Sequence, residues 1–180
     1  MVYIILGNGF EEIEAVSPCD ILRRGGVEVR FAGIGGKLIT GGNGITVQAD
    51  CTVEEMDLDA MEMVVLPGGL GGVRSIEASG AAMSAVRYAH ENGKYVTAIC
   101  AAPTILAKLG ITDGKHAVCY PGMESEMGEA LMEDADAVED GRVLTGRAPG
   151  AALEFGYLLL KTLKGQEIAE KVRNGMVYKH

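Results

Sequence analysis

The chain has 180 residues, a size that fits one domain, with 48% hydrophobic residues, a mean hydropathy of +0.17 and a formal net charge of −9. That balance supplies ample apolar material for a core, argues against the basic footprint that nucleic-acid binding needs, and contains no apolar stretch near the ~20 residues of a membrane span. The first apolar run, VYIIL, is too short for a signal peptide and lacks its basic flank, so the expected location is the cytosol.

Short β-branched runs alternate with longer helical patterns. Val2–Leu6 reads as a strand and Glu11–Arg24 as a helix stopped by Gly25-Gly26. Val27–Ala32 is a second strand, and the glycine-rich run GIGGKLITGGNG leads into Ile45–Gln48 as a short edge hairpin. Thr52 caps a single turn through Asp57. Met63–Pro67 is a third buried strand, ending in Pro67-Gly68-Gly69. Gly80–Asn92 is a helix closed by Gly93, Tyr95–Ile99 a strand and Ala101–Leu109 a helix. Ala117–Cys119 reads as a strand end. Ala137–Glu139 and Arg142–Thr145 flank Asp140-Gly141, a hairpin signal, and Pro149–Leu163 and Gln166–Asn174 are helices. This alternation predicts one α/β domain over residues 1–180, a doubly wound parallel sheet with helices on both faces. Ligands bind such sheets outside the carboxyl ends of the strands, near a topological switch point. That rule selects the loop Gly7–Phe10, the turn Pro67–Gly71 and the junction at Cys100.

Cys100 lies where a strand turns into a helix, the place a nucleophile elbow occupies. The Ala101 and Ala102 N–H groups open the predicted helix, lack intrahelical partners and can donate to an anion. The helix start carries roughly half a positive charge, and in such settings a thiol pKa of about 8.5 falls to roughly 3.5–7.5. Pro103 suits the first helical turn, and Ala98, Ala101 and Ala102 are small enough to leave the sulfur approachable. The competing reading is a small buried hydrophobe. Gly68 and Gly69 let backbone N–H groups approach a ligand and offer a second oxyanion donor; the alternative is a plain tight turn. LPGGLGG matches neither a dinucleotide fingerprint nor a phosphate-binding loop. Cys19, Cys51, Cys100 and Cys119 have no CxxC or Cys/His spacing, so they read as free thiols and no zinc site is expected.

The first helix opens on Phe10-Glu11-Glu12-Ile13-Glu14. Glu11 and Glu12 complement the helix dipole without any further role. Glu14 lies a turn further in and shares a face with Pro18 and Ile21. The helix is apolar on most sides, so periodicity does not choose among the three glutamates. A buried carboxyl has a raised pKa, and in its protonated form it can donate to a thiolate or hand a proton to a substrate.

Together the runs GNGFEEIEAVSPCDILRRGG, VVLPGG, TAICAAPTILAKLG and LTGRAPGAALEFGYLLLKTLKG resemble the ThiJ/PfpI family, in the branch of the parkinsonism-associated deglycase and its bacterial relatives. The resemblance covers nearly the whole chain. It implies a flavodoxin-like sandwich and a homodimer. It implies that Cys100 is the reactive cysteine, that Glu14 faces its sulfur, and that the Gly69 and Ala101 amides form an anion pocket. Gly68, Tyr120, Arg147, Pro149 and Gly150 fall at the pocket wall. The activities it implies are a cofactor-free glyoxalase converting methylglyoxal to lactate, repair of early glycation adducts, and oxidative-stress sensing with chaperone-like protection. The implied partners are small reactive aldehydes or glycated amines and thiols.

Two departures qualify the match. Peptidase-like members carry a histidine directly after the nucleophile, where this chain has Ala101, so a cysteine peptidase or amidase ranks last. Other members place a histidine in the segment matching Val118–Gly122, where this chain has Tyr120. His90, His116 and His180 fall on no matching position, which leaves proton transfer to Glu14. Cys119 is either a resolving thiol for Cys100 or a core residue. Asp20, Arg23 and Arg24 at the first helix end are either a dimer contact or a solvated terminus.

Overall fold

The computed structural model describes residues 1–179. Its first half runs β1 (Val2–Leu6), α1 (Glu12–Arg24), β2 (Val29–Gly33), β3 (Leu38–Thr40), β4 (Thr46–Gln48), β5 (Cys51–Thr52), β6 (Met63–Leu66), α2 (Leu70–Ala78) and α3 (Gly80–Glu91). The second half runs β7 (Tyr95–Ile99), α4 (Pro103–Lys108), β8 (His116–Ala117), β9 (Leu131–Met132), β10 (Ala137–Asp140), β11 (Val143–Gly146), α5 (Ala152–Lys164) and α6 (Gln166–Gly175). Every residue of β1, β6 and β11 is buried, which requires cover on both faces of their sheet. Helix α1 packs on α5 and α5 on α6, while α2 packs on α3, which lies against β6 and β7. No helix among the described residues is long and apolar enough to cross a membrane.

The main sheet has the order β10-β11-β7-β6-β1-β2-β5 and is parallel except for the antiparallel β10. From β1 the chain builds outward through β2 and β5, then returns to β6 on the other side and builds through β7 and β11. The direction reverses between β1 and β6. The loops at the carboxyl ends of β1, β6 and β7 therefore meet over one crevice.

Several boundaries differ from the sequence reading, each for a local reason. Val27 N–H donates to the Leu22 carbonyl at 3.0 Å to close the helix end, so β2 begins at Val29. The predicted edge hairpin is a separate ribbon, β3 against β4, and the sheet edge is β5. The turn after Thr52 is shorter than expected, Val53–Glu55, with Thr52 N–H donating to the Glu55 carboxylate at 2.8 Å. Helix α2 carries no clear sequence signal because Gly71 and Gly72 lower helix propensity. Tertiary packing overrides that weakness. A Cβ on Gly71 would lie 2.8 Å from Gly9 Cα, and one on Gly72 would lie 2.8 Å from Phe10 Cα. These glycines let α2 lie directly on the loop after β1.

The ribbon is fastened to that same loop. Gly9 N–H donates to the Thr40 carbonyl and Gly42 N–H to the Phe10 carbonyl, both at 2.8 Å. Glu12 is buried, and its carboxylate accepts from Asn43 N–H at 2.8 Å, Asn43 Nδ2 at 2.9 Å and Ile45 N–H at 3.3 Å. Burial acts to raise its pKa, yet these hydrogen bonds outweigh it and hold the carboxyl below the usual range. Glu12 is thus an anchor for the ribbon tip as well as a dipole partner. At the far end of α1, Arg24 pairs with Asp20 at 2.7 Å, and Arg23 reaches the Val29 carbonyl at 2.8 Å and Asp50 at 3.3 Å. These charges are engaged within the chain.

Candidate active site

At the end of β7 the chain bends sharply before α4, and Cys100 takes the bend with φ of 68°. It is one of two non-glycine residues with positive φ among the described residues. Such a backbone costs about 1–3 kcal/mol and persists only where the surroundings fix it. Here Cys100 N–H donates to the Gly146 carbonyl at 2.9 Å, and the Cys100 carbonyl accepts from Tyr120 N–H at 2.7 Å. Helix α4 begins at Pro103, two residues later than the pattern suggests, and Ala102 N–H is taken by the Ile99 carbonyl at 3.1 Å. Of the two alanine amides expected to serve an anion, only that of Ala101 is left without a backbone partner, and with the Gly69 N–H it favours the ionised Cys100 sulfur.

Glu14 has no exposed surface. Its Oε2 accepts from Gly68 N–H at 2.7 Å, and its buried Oε1 has no aligned hydrogen-bond donor. The side chain that acts on this carboxyl is that of Cys100. A Cβ on Gly68 would stand 2.6 Å from Glu14 Oε2 and 2.8 Å from Cys100 Cβ, so glycine is what lets these groups meet. Burial pushes Glu14 up to about 7, opposed by hydrogen bonds from Cys100 and Gly68 and reinforced by the charge of Glu11.

Burial also pushes the Cys100 thiol up, to about 12, aided by the charge and hydrogen bond of Glu14 and opposed by the Ala101 and Gly69 amides. This reverses the lowered pKa expected from a helix start, because Cys100 is only 8% exposed and the short α4 begins too late to aim its dipole there. The electrostatic part of the upward push disappears when Glu14 holds the proton, since a neutral carboxyl donates to the sulfur instead of repelling it. The titrations of the two acids are therefore coupled.

The sulfur lies at an open cleft of about 600 Å³. Gly69, Ala101, Tyr120 and Pro149 line it alongside Cys100. Gly68 sits behind the sulfur, and Gly150 is exposed outside the lining. Arg147 is also outside the lining, its Nη1 donating to Asp134 at 2.7 Å. Glu11, Leu70 and Pro121–Met123 line the cleft as well. The sequence reading gave Glu11 only a dipole role, and Leu70, Pro121 and Gly122 fell within segments it selected without being named as site residues.

Cys119 is buried with Ala117 and Met127 in a small separate cluster, its thiol pushed up to about 11 by burial. It does not line the cleft. Cys19 and Cys51 belong to the main core. His90 is exposed on α3, His116 is exposed beside Glu133, and His180 lies outside the described residues.

The DJ-1/PfpI family profile matches residues 1–162. Protein dj-1beta of Drosophila melanogaster is 35% identical over 177 residues, covering 97% of this chain and 95% of that protein. A Pyrococcus abyssi protein named a deglycase is 33% identical over 165 residues, covering 91% of this chain and 99% of its own length. Among solved structures, oxidized Toxoplasma gondii DJ-1 superposes with a TM-score of 0.95 at 28% identity, over 99% of this chain and 98% of that one.

The raised pKa of Glu14 fixes the sign of a stability effect. Between the ordinary value of 4.5 and about 7 the unfolded chain releases this proton while the folded chain keeps it, so stability falls as pH rises through that window. Glu14→Gln is expected to be more stable than wild type by about 3 kcal/mol above pH 7, with the gap closing below the ordinary value, in urea unfolding. A gap that stays constant with pH would show that the carboxyl is not strained by ionisation.

Proposed function

The chain belongs to the DJ-1/PfpI family, and on that footing we propose that it is a cofactor-free deglycase and glyoxalase acting through the Cys100 thiolate. One observation carries the reading: a fully buried glutamate meets, at Gly68, the one cysteine that lines the cleft. The relative named a deglycase supports the same direction.

Cys100 passes its proton to Glu14, and the thiolate adds to the aldehyde carbon of methylglyoxal. Charge gathers on the former carbonyl oxygen between the Gly69 and Ala101 N–H groups until Glu14 returns the proton, giving a hemithioacetal. The hydrogen on that carbon then leaves as a proton to Glu14 and returns on the neighbouring carbon. The hydroxyl proton moves to the neighbouring oxygen, and an S-lactoyl thioester remains. Water hydrolyses it to lactate and restores the thiol. The net change is addition of one water, with no oxidant or reductant. On an early glycation adduct the thiolate displaces the amine or thiol from the same carbon, and the later steps are shared.

Lactate formation from methylglyoxal is expected to fall by about 100-fold or more in both Cys100→Ala and Glu14→Gln. Full turnover by Cys100→Ala overturns the mechanism.

A second reading, redox sensing at the same thiol, is favoured by the cleft position of Cys100 and by the oxidized state named for the Toxoplasma relative. In this reading the protonated Glu14 carboxyl donates to a sulfinate oxygen. Mild peroxide followed by mass spectrometry is expected to find two added oxygens on Cys100 before any other cysteine. Uniform oxidation of all the thiols counts against it. The homodimer that the family resemblance implies has apolar surface available: Ile13 and Val16 on α1 are 53% and 44% exposed, and Leu38 and Ile45 are 72% and 57% exposed. Light scattering at micromolar concentration is expected to give twice the 18.9 kDa chain mass; a monomer refutes that assembly.

A further inference from the structure

The cleft carries charge of one sign. Among the described residues that line it, Glu11 supplies a carboxylate and none is Lys, Arg or His. The rest of the wall is largely apolar, with Leu70, Pro121, Met123 and Pro149 around Tyr120. Arg147, a cation close enough to influence Glu124, is held instead by Asp134. The Glu11 charge reaches the reacting pair, since it adds to the upward push on Glu14.

Glu11 is also held in place. Asn43 Nδ2 donates to Glu11 Oε1 at 3.3 Å and to Glu12 Oε2 at 2.9 Å, while Asn43 N–H binds Glu12 Oε1 at 2.8 Å. The ribbon tip thus grips the buried Glu12 and, through the same side chain, keeps Glu11 at the cleft. A carboxylate held in the same cleft as the sulfur repels an incoming anion, and added salt weakens that repulsion.

We propose that Glu11 is a specificity-determining residue. Its charge turns away carbonyl compounds bearing a carboxylate or phosphate near the reacting carbon. It admits uncharged 2-oxoaldehydes and adducts carried on basic side chains. The inference rests on Cys100 being the reacting thiol of the proposed function, and it is tested without any turnover.

The probes are iodoacetamide, which is neutral, and iodoacetate, which is an anion of nearly the same size. Each alkylates Cys100 in the intact protein, and the ratio of the two rates is compared with that of an unstructured cysteine peptide. Changes in the thiolate fraction affect both probes equally and cancel in the ratio. In wild type the preference for iodoacetamide is expected to exceed that of the peptide by about tenfold at low salt and to shrink as salt is added. Glu11→Gln is expected to bring it within about threefold of the peptide and to remove the salt dependence. Leu70→Lys, at a position 62% exposed on the cleft rim, places the opposite charge there and is expected to speed iodoacetate selectively. It provides a readout should Glu11→Gln fold poorly. A wild-type ratio equal to that of the peptide, or a ratio that neither variant moves, overturns the proposal. Failure of methylglyoxal turnover with the ratio intact would instead overturn the proposed chemistry alone.

Discussion

Glu14 brings a carboxyl group with no exposed surface against the sulfur of Cys100, and much of the neighbouring structure serves to hold those two acids together. Neither sits comfortably. One carboxylate oxygen lacks an aligned donor, and the cysteine backbone is left-handed. Unpaired buried polar atoms and strained φ values each cost on the order of 1–3 kcal/mol. A core built on fully buried parallel strands offsets that burden. Gly68 makes the arrangement geometrically possible, because any side chain there would occupy the space in which carboxyl and sulfur meet. The buried carboxyl against its sulfur distinguishes this cysteine from the three others.

The site draws on both halves of the sheet. Glu14 comes from the helix after β1, the Gly68-Gly69 turn from the end of β6, and Cys100 from the end of β7. Those three strands are adjacent in the sheet order, and the chain reverses its direction of growth between the first two. The constellation is thus a product of topology. Residues far apart in sequence converge because parallel strands deliver their carboxyl ends to one edge of the sheet.

Much of this was legible in the chain itself. Runs such as MVVL and YVTAI are short, apolar and bounded by turn residues, so the strands they form could be located directly. The strand–cysteine–proline sequence located the elbow. What escaped depended on contacts between distant segments. Helix α2 was hidden by Gly71 and Gly72, whose lack of side chains matters only because the loop at Gly9 and Phe10 lies against them. The start of α4 slipped by two residues because the Ile99 carbonyl captures Ala102 N–H, a competition that no propensity encodes. The expected lowering of the Cys100 pKa is outweighed by burial of the thiol and then by the Glu14 carboxylate, neither of which a one-dimensional reading sees. Choosing Glu14 over Glu11 and Glu12 required the family resemblance. In the folded chain each of the three has its own surroundings: Glu14 the sulfur, Glu12 the ribbon tip and Glu11 the cleft.

The bond from Cys100 N–H to Gly146 ties the elbow to a strand that lies well downstream in the chain, and Tyr120 N–H, which secures the other side of the same residue, is downstream as well. During vectorial synthesis both partners leave the ribosome after the cysteine does. Until β11 pairs with β7, the Cys100 N–H lacks the carbonyl that holds its left-handed bend, so the elbow is completed only when a strand made later than the cysteine joins the sheet.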